Sequence, residues 1–256
     1  WIVTVDNRVD RIKDGFIVNN LSLVNKGQSI SIASADMAAL SPINIRIDSI
    51  DIGNMLALAS FNDTAIAAGI LHADISIQQP VEKFPVFTGK ADIKGMAFHN
   101  IPVGDLAISS ATAEDSLKLN GSITGNNRVD FNGGMHPGNG NISATLTVQK
   151  LDMSLIQEFV KDFISRMSGN ITGDFQLAGT TKDPQLKGMI YFDSTAFAMK
   201  DFQALYKIDR QKVIIDYPTI KFDHFTLTDT LNNKLSVNGT INMNNPGELG
   251  LNLETE

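Results

Sequence analysis

The chain has 256 residues and a net charge of -7, and its 21 basic residues are scattered rather than clustered, which argues against a nucleic-acid partner. It contains no Cys, which excludes disulfides, thiolate nucleophiles and sulfur-based zinc sites. No stretch approaches ~18 uninterrupted apolar residues, and the opening WIVTVDNRVDR reads neither as a signal peptide nor as a membrane span.

Period-two alternation begins early and runs through the chain. SISIAS (Ile30, Ile32), INIRIDSIDI (Ile43, Ile45, Ile47) and DISI (Ile75, Ile77) each put one apolar and one polar face on a strand. SLKLNGSI (Leu117, Leu119, Ile123), ATLTV (Leu146, Val148), GNITGDFQLAG (Ile171, Phe175, Leu177) and KLSVNGTINM (Leu235, Val237, Ile241, Met243) continue it. Asn120-Gly121, Asn132-Gly133, Pro137-Gly138 and Asn232-Asn233 read as turns between strands. Residues 193–212 fit either period, with Phe197, Met199, Phe202, Leu205 and Ile208 as the apolar positions. The pattern predicts an antiparallel sheet with one wet face.

One segment departs from alternation. In LDMSLIQEFVKDFISRMSG, Ile156, Phe159, Val160, Phe163, Ile164 and Met167 fall at helical spacing, Ser154 and Gln157 resemble a capping box, and Gly169 stands where the helix would stop. Docking of this amphipathic helix on the apolar sheet face is the expectation. IDIGNMLALASFNDTAIAAG starts in the same way, Ile50-Asp51 against Leu151-Asp152, and predicts a weaker helix because Gly53 disfavours one.

The same skeleton therefore occurs twice, about a hundred residues apart. A helix is followed by Gly, an alternating strand carrying Asp74 or Asp174, a Pro (Pro85, Pro184), a second Gly (Gly89, Gly188) and an Asn-Gly strand. The expected organisation is a partial repeat over 1–49, a repeat over 50–150 and a repeat over 151–256 opened by the helix, forming one continuous structural unit. Alternation persists to the last residues, LGLNLETE, so the chain reads as a segment of something longer.

Chemistry-bearing constellations are missing. His72, His99, His136 and His224 are not at metal-ligand spacing, and Asp6/Asp10 and Asp48/Asp51 lack the acidic ladder of a calcium loop. There is no GxxxxGK, no GxGxxG after a strand and no GxSxG. VDFNGGMHPGNGN reads as a wide hairpin loop rather than an anion nest, and Asp183 and Asp229 stand where a turn wants Asp. The sequons at Asn141, Asn170 and Asn238 are of the number expected by chance in an Asn-rich chain. The expectation is a protein without catalytic residues, metal or cofactor. Its apolar strand faces exceed what two helices can cover. Two sheets stacked as a sandwich, or one sheet folded lengthwise into a trough open to a ligand, both satisfy that excess.

The run LDMSLIQEFVKDFISRMSGNITGDFQLAGTTKDPQLKGMIYF resembles the recurring signature of the TamB proteins of the AsmA-like superfamily. The matching positions are Ser168, Gly169, Gly173, Gly179, Thr180, Asp183, Pro184 and Gly188, with FTLTDTLNNKLSVNGTI over 225–241 as the later strand. The match is good over 150–256, looser over 50–150, where IQQPVEKFP replaces the turn, and slight before residue 50. The resemblance implies an all-β fold, an elongated antiparallel sheet folded lengthwise into a groove with one or two short amphipathic helices. It implies a periplasmic location in a protein anchored in the inner membrane by parts outside this chain. It implies conduction of phospholipids toward the outer membrane and, with an Omp85-family barrel such as TamA, outer-membrane protein assembly. On that reading Ile171, Phe175, Leu177, Leu186, Ile190, Phe192, Phe225, Leu227, Leu235, Val237 and Ile241 would line the groove against acyl chains. The alternatives are a structural β-sandwich without a ligand and a chaperone-like scaffold that offers a sheet edge to unfolded barrel strands.

Overall fold

A computed structural model describes residues 1–60, 66–79, 86–113, 115–200, 204–244 and 249–255. The chain is 72% strand and 6% helix, the all-β architecture that the alternation predicts, and seventeen of the nineteen strands among the described residues belong to one antiparallel sheet. It divides into two compact units, residues 1–123 with 134–139, and residues 124–133 with 140–256.

The first unit holds β1 (Ile2–Val3), β2 (Arg8–Ile12), β3 (Gly15–Asn19), β4 (Leu21–Asn25), β5 (Gln28–Ser34), β6 (Ile43–Asp51), α1 (Ile52–Ser60), β7 (Ala67–Ile77), β8 (Phe87–Phe98), β9 (Ile101–Ala113) and β10 (Ser116–Thr124). Strands β4 to β10 pair antiparallel with their chain neighbours, β1 joins β4, and β2–β3 is a hairpin of its own. After β11 (Arg128–His136), the second unit continues with β12 (Asn141–Asp152), α2 (Met153–Val160), β13 (Ile164–Gly179), β14 (Pro184–Met199), β15 (Leu205–Ile208), β16 (Gln211–Asp216), β17 (Thr219–Thr228), β18 (Lys234–Asn242) and β19 (Leu249–Thr255). Here too the strands form a meander, except that β15 and β16 together occupy one place between β14 and β17. Residues 193–212 are thus strand where they are described, and Phe202 lies outside the described residues.

The alternation slips by one residue at a recurring two-residue device. In Ile47-Asp48-Ser49-Ile50, Phe192-Asp193-Ser194-Thr195, Ile208-Asp209-Arg210-Gln211 and Phe222-Asp223-His224-Phe225, two polar residues in succession turn outward between inward-facing neighbours. The residue after each Asp takes a positive φ, of 58°, 51°, 51° and 49° for Ser49, Ser194, Arg210 and His224. Its side chain bonds the preceding carboxylate: Ser49 Oγ donates to Asp48 (3.0 Å), Ser194 Oγ to Asp193 (3.2 Å) and Arg210 Nε to Asp209 (3.2 Å), and His224 Nδ1 lies 2.8 Å from Asp223. An extra left-handed residue in an antiparallel pair is a β-bulge, which bends its strand and sharpens the twist. In the second unit the bulges lie side by side. Gly169 on β13, with φ +97°, abuts Ser194 and Thr195, the 193–194 pair faces 209–210, and His224 N donates to Asn238 Oδ1 on β18 at 2.6 Å. The result is a crease that crosses β13 to β18. In the first unit Gly69, Gly95 and Gly104 form a similar line across β7, β8 and β9.

The two copies of the skeleton adopt the same register. Asp51 accepts the Asn54 N–H at 3.1 Å at the head of α1, and Asp152 accepts the Ser154 N–H at 2.8 Å at the head of α2. Ile75 on β7 faces Gly89 on β8, and Phe175 on β13 faces Gly188 on β14. The glycine is needed for space: a Cβ on Gly188 would stand 2.5 Å from Phe175 Cδ1, and one on Gly173 3.0 Å from the same ring, so the ring lies flat across both. Pro184 begins β14, whereas Pro85 lies outside the described residues.

Several local expectations are corrected. Helix α2 stops at Val160, and Ile164 and Met167 belong to β13, where they pair with Met199 and Phe197 of β14, so the sheet ladder takes the backbone groups that a longer helix would have used. Gly169 is accordingly a bulge residue and no helix stop. The cap is Asp152 rather than Ser154, and Gln157 instead ties the helix to β13 by accepting the Met167 N–H at 2.9 Å. The helix buries Met153 and Leu155, while Phe159 and Phe163 are 76% and 75% exposed. Asn120-Gly121 and Asn132-Gly133 lie within β10 and β11, whereas Pro137-Gly138 and Asn232-Asn233 do form turns. VDFNGGMHPGNGN is a strand followed by a four-residue turn.

Two predictions follow from these geometries. Gly188→Val should lower stability by about 1–3 kcal/mol in urea unfolding, and the loss should shrink when Phe175 is already Ala, a double-mutant cycle that reports the ring on the glycine. Asp229 accepts hydrogen bonds from the side chain of Asn233, then the Asn233 and Leu231 N–H groups, which hold its pKa below the usual carboxylate value. Its contribution is complete above the unfolded-state pKa and fades as pH falls through the lower folded one, so Asp229→Asn should flatten the loss of stability below about pH 4 in acid titration. Asp105 and Asp223, lowered by the Gly95 N–H and by His224 respectively, supply slope in the same window and remain in that variant.

Candidate functional site

The residues that could contact a ligand in the second unit follow directly from the bent alternation. Between bulges each strand presents every second side chain to one face, and across each bulge the phase resets so that the same face stays apolar. That face carries Ile171, Phe175 and Leu177 from β13, Leu186, Ile190, Phe192 and Phe197 from β14, Ile208, Val213 and Ile215 from β15 and β16, Ile220, Phe222, Phe225 and Leu227 from β17, and Leu235, Val237 and Ile241 from β18. The buried nucleus is Ile208, Val213, Ile215, Phe225 and Val237, with Leu251 of β19 also packed against it. All of these come from one meander of successive strands.

The crease draws the side chains together. Phe192 and Phe225, from strands separated by β16, meet edge to face at 5.5 Å, a contact that a flat sheet with strands ~4.8 Å apart would not bring so close. Phe222 and Phe225 flank the β17 bulge and also meet edge to face at 5.5 Å, while Phe197 stacks on Tyr206 at 5.5 Å. The face is therefore concave along the crease.

Its electrostatics are uniform. Among the described inward residues of β13 to β18 there is no carboxylate, amine, guanidinium or imidazole. The buried Thr195 hydroxyl is spent on the Ile208 carbonyl (3.2 Å), and Gln211 accepts the Thr226 N–H and donates to the Asp209 carbonyl, both at 3.2 Å. Charged groups, including the Lys187–Asp216 pair at 3.4 Å, stand on the opposite face. No cluster of metal-ligating side chains occurs among the described residues, and no helix there is long and apolar enough to cross a membrane.

The eleven residues singled out in the sequence all lie on this face. Ile171, Phe225 and Val237 are buried, and the other eight are half-buried. The sequence reading missed Phe197 and Ile208, because the phase of 193–212 was ambiguous, Val213 and Ile215, because Val213-Ile214-Ile215 is apolar without alternation, and Ile220 and Phe222, because the β17 bulge puts them out of step with Phe225. The signal that finds them is the quartet of apolar, Asp, polar and a second inward residue. Asp183 and Asp229 are turn residues as expected, with Asp183 N donating to Thr180 Oγ1 at 3.1 Å. The histidines are dispersed: His72 stands between Asp48 (3.3 Å) and Asp92 (3.5 Å), and His224 braces its bulge.

No family model, curated protein or solved structure matches the chain.

Burial separates the aromatic side chains of this unit into two classes. Phe225→Ala should reduce stability by about 3–5 kcal/mol in denaturant unfolding, whereas Phe163→Ala, at the exposed end of the α2 turn, should change it by no more than about 0.5 kcal/mol.

Proposed function

We propose that the apolar face of the second unit is one length of a path for phospholipid acyl chains. In this reading the chain is a segment of a TamB-like protein that spans the periplasm from an inner-membrane anchor outside these residues. That protein conducts phospholipids between the inner and outer membranes, and supports outer-membrane biogenesis together with an Omp85-family barrel such as TamA.

The observation that carries the reading is a face that is at once continuous over successive strands, free of charge and only half-buried. Each methylene moved from water to such a surface gains about 0.8 kcal/mol, so an acyl chain is held strongly overall. Because one apolar residue replaces the next along the strands, displacement along the face exchanges equivalent contacts and has a small barrier. The mechanism is continuous solvation without covalent chemistry. The residues quoted above for the TamB resemblance support the same assignment, since they include the Gly173 and Gly188 on which the Phe175 ring rests.

Photo-crosslinking in cells tests it. A photoreactive residue at Phe175 should capture phospholipid and one at Gln176, which points to the opposite face, should not. If neither position captures lipid in folded protein, the face is a closed core or a scaffold surface and the lipid path is wrong; equal capture at both means that the face has no part in selecting it.

A further inference from the structure

A broad concave volume lies in the first unit, on the polar face of its sheet. It measures about 850 Å³ and continues into a second depression of about 610 Å³ that shares Asp74, Lys90, Ser109 and Asn120 with it. Its shape follows from side-chain length. Strand β9 contributes the small residues Ser109 and Ala111, while the strands on either side contribute the long side chains of Lys90 and Lys118, so the two amines flank a low floor about 10 Å across.

Charge and hydrogen bonding give this floor a sign. The charged residues lining the first depression are Arg46, Lys90, Lys118 and Asp74, a net +2 in a chain of net -7, and the second adds Asp92, which leaves the whole trough at +1. Arg46 is engaged by Asp74 at 2.7 Å, which leaves the charges of the two lysines unspent. Lys90 and Lys118 have no side-chain hydrogen bond or ion pair among the described residues, and neither do Thr88, Ser109 and Asn120 beside them. The fold does not require a lysine at this position. In the second unit the same register places Met189 opposite Asp174, where the first places Lys90 opposite Asp74, and Tyr191 stands where the first unit has Asp92. The second copy has thus kept the skeleton without the amine.

We infer that this depression binds a phosphate ester, with Lys90 and Lys118 clasping the anion and the Ser109 hydroxyl donating from below. The volume exceeds what the anion alone needs, so the ester carries an organic group that lies along the trough. The inference stands on the first unit alone and does not depend on the lipid path proposed above.

The test uses the full chain with two probes at low ionic strength: glycerol 3-phosphate by titration calorimetry, and flotation with phosphatidylglycerol vesicles. Saturable binding is expected, weakened roughly threefold by Lys90→Gln or Lys118→Gln and about tenfold by the pair, as for solvent-exposed ion pairs. Ala111→Glu, which raises a negative charge from the floor while leaving both lysines in place, should abolish it. Lys187→Gln, on the outer face of the second unit, should leave it unchanged. Binding of the soluble ester assigns a free phosphate ester as ligand, and binding of vesicles alone assigns a lipid headgroup. If neither probe binds, or if Lys187→Gln loses as much as the pair, the site is overturned.

Discussion

A β-strand can keep one face apolar only while its two-residue phase holds, and a single left-handed residue resets that phase. In this protein the resets are used rather than avoided. At each Asp-x bulge two outward polar residues replace one, and the strand continues with its apolar side chains on the face they occupied before. A positive φ at Ser, Arg or His is disfavoured, and the hydrogen bond from that residue to the preceding carboxylate offsets part of the cost. Because the resets stand next to one another across β13 to β18, the bends add to a single crease, and the contacts among Phe192, Phe222 and Phe225 depend on it.

The repeated skeleton serves the same geometry at a finer scale. Glycine in a strand interior normally weakens a sheet, since it has no side chain to pack. Here the missing Cβ atoms of Gly173 and Gly188 are the seat of an aromatic ring, which covers the backbone the glycines leave bare. Ile75 over Gly89 is the smaller version of that pair in the first unit. The copies also diverge on the outer face, Lys90 against Met189 and Asp92 against Tyr191, positions the bending mechanism does not constrain.

Much of this was legible in the residues. Alternation identified the strands, and the duplicated Asp and Gly spacing marked two strand pairs that share a register, because both depend on neighbours in sequence. The end of α2 was not legible. Phe159, Phe163 and Ile164 have helical spacing, yet Ile164 is taken by pairing with Met199, a partner 35 residues on that local periodicity does not contain. Asn120-Gly121 and Asn132-Gly133 misled for a similar reason: the dipeptide has the conformational freedom for a turn, but the ladder on either side holds it extended. The inward phase of Ile220 and Phe222 was hidden by His224. No spacing rule announces a left-handed histidine, although the quartets IDSI, FDST, IDRQ and FDHF become a recognisable signal once one of them has been seen in three dimensions.

The meander in the second unit joins only strands that are successive or next but one in the chain. Each new pairing therefore closes a short loop, and the chain entropy lost at each step is small and nearly the same from one step to the next. A sheet wired in this way has a growing edge. Residues leaving the ribosome can be laid onto it in the order in which they are made, without waiting for a distant partner, so the length of such a sheet is set by how long the message runs and not by how large a core can close.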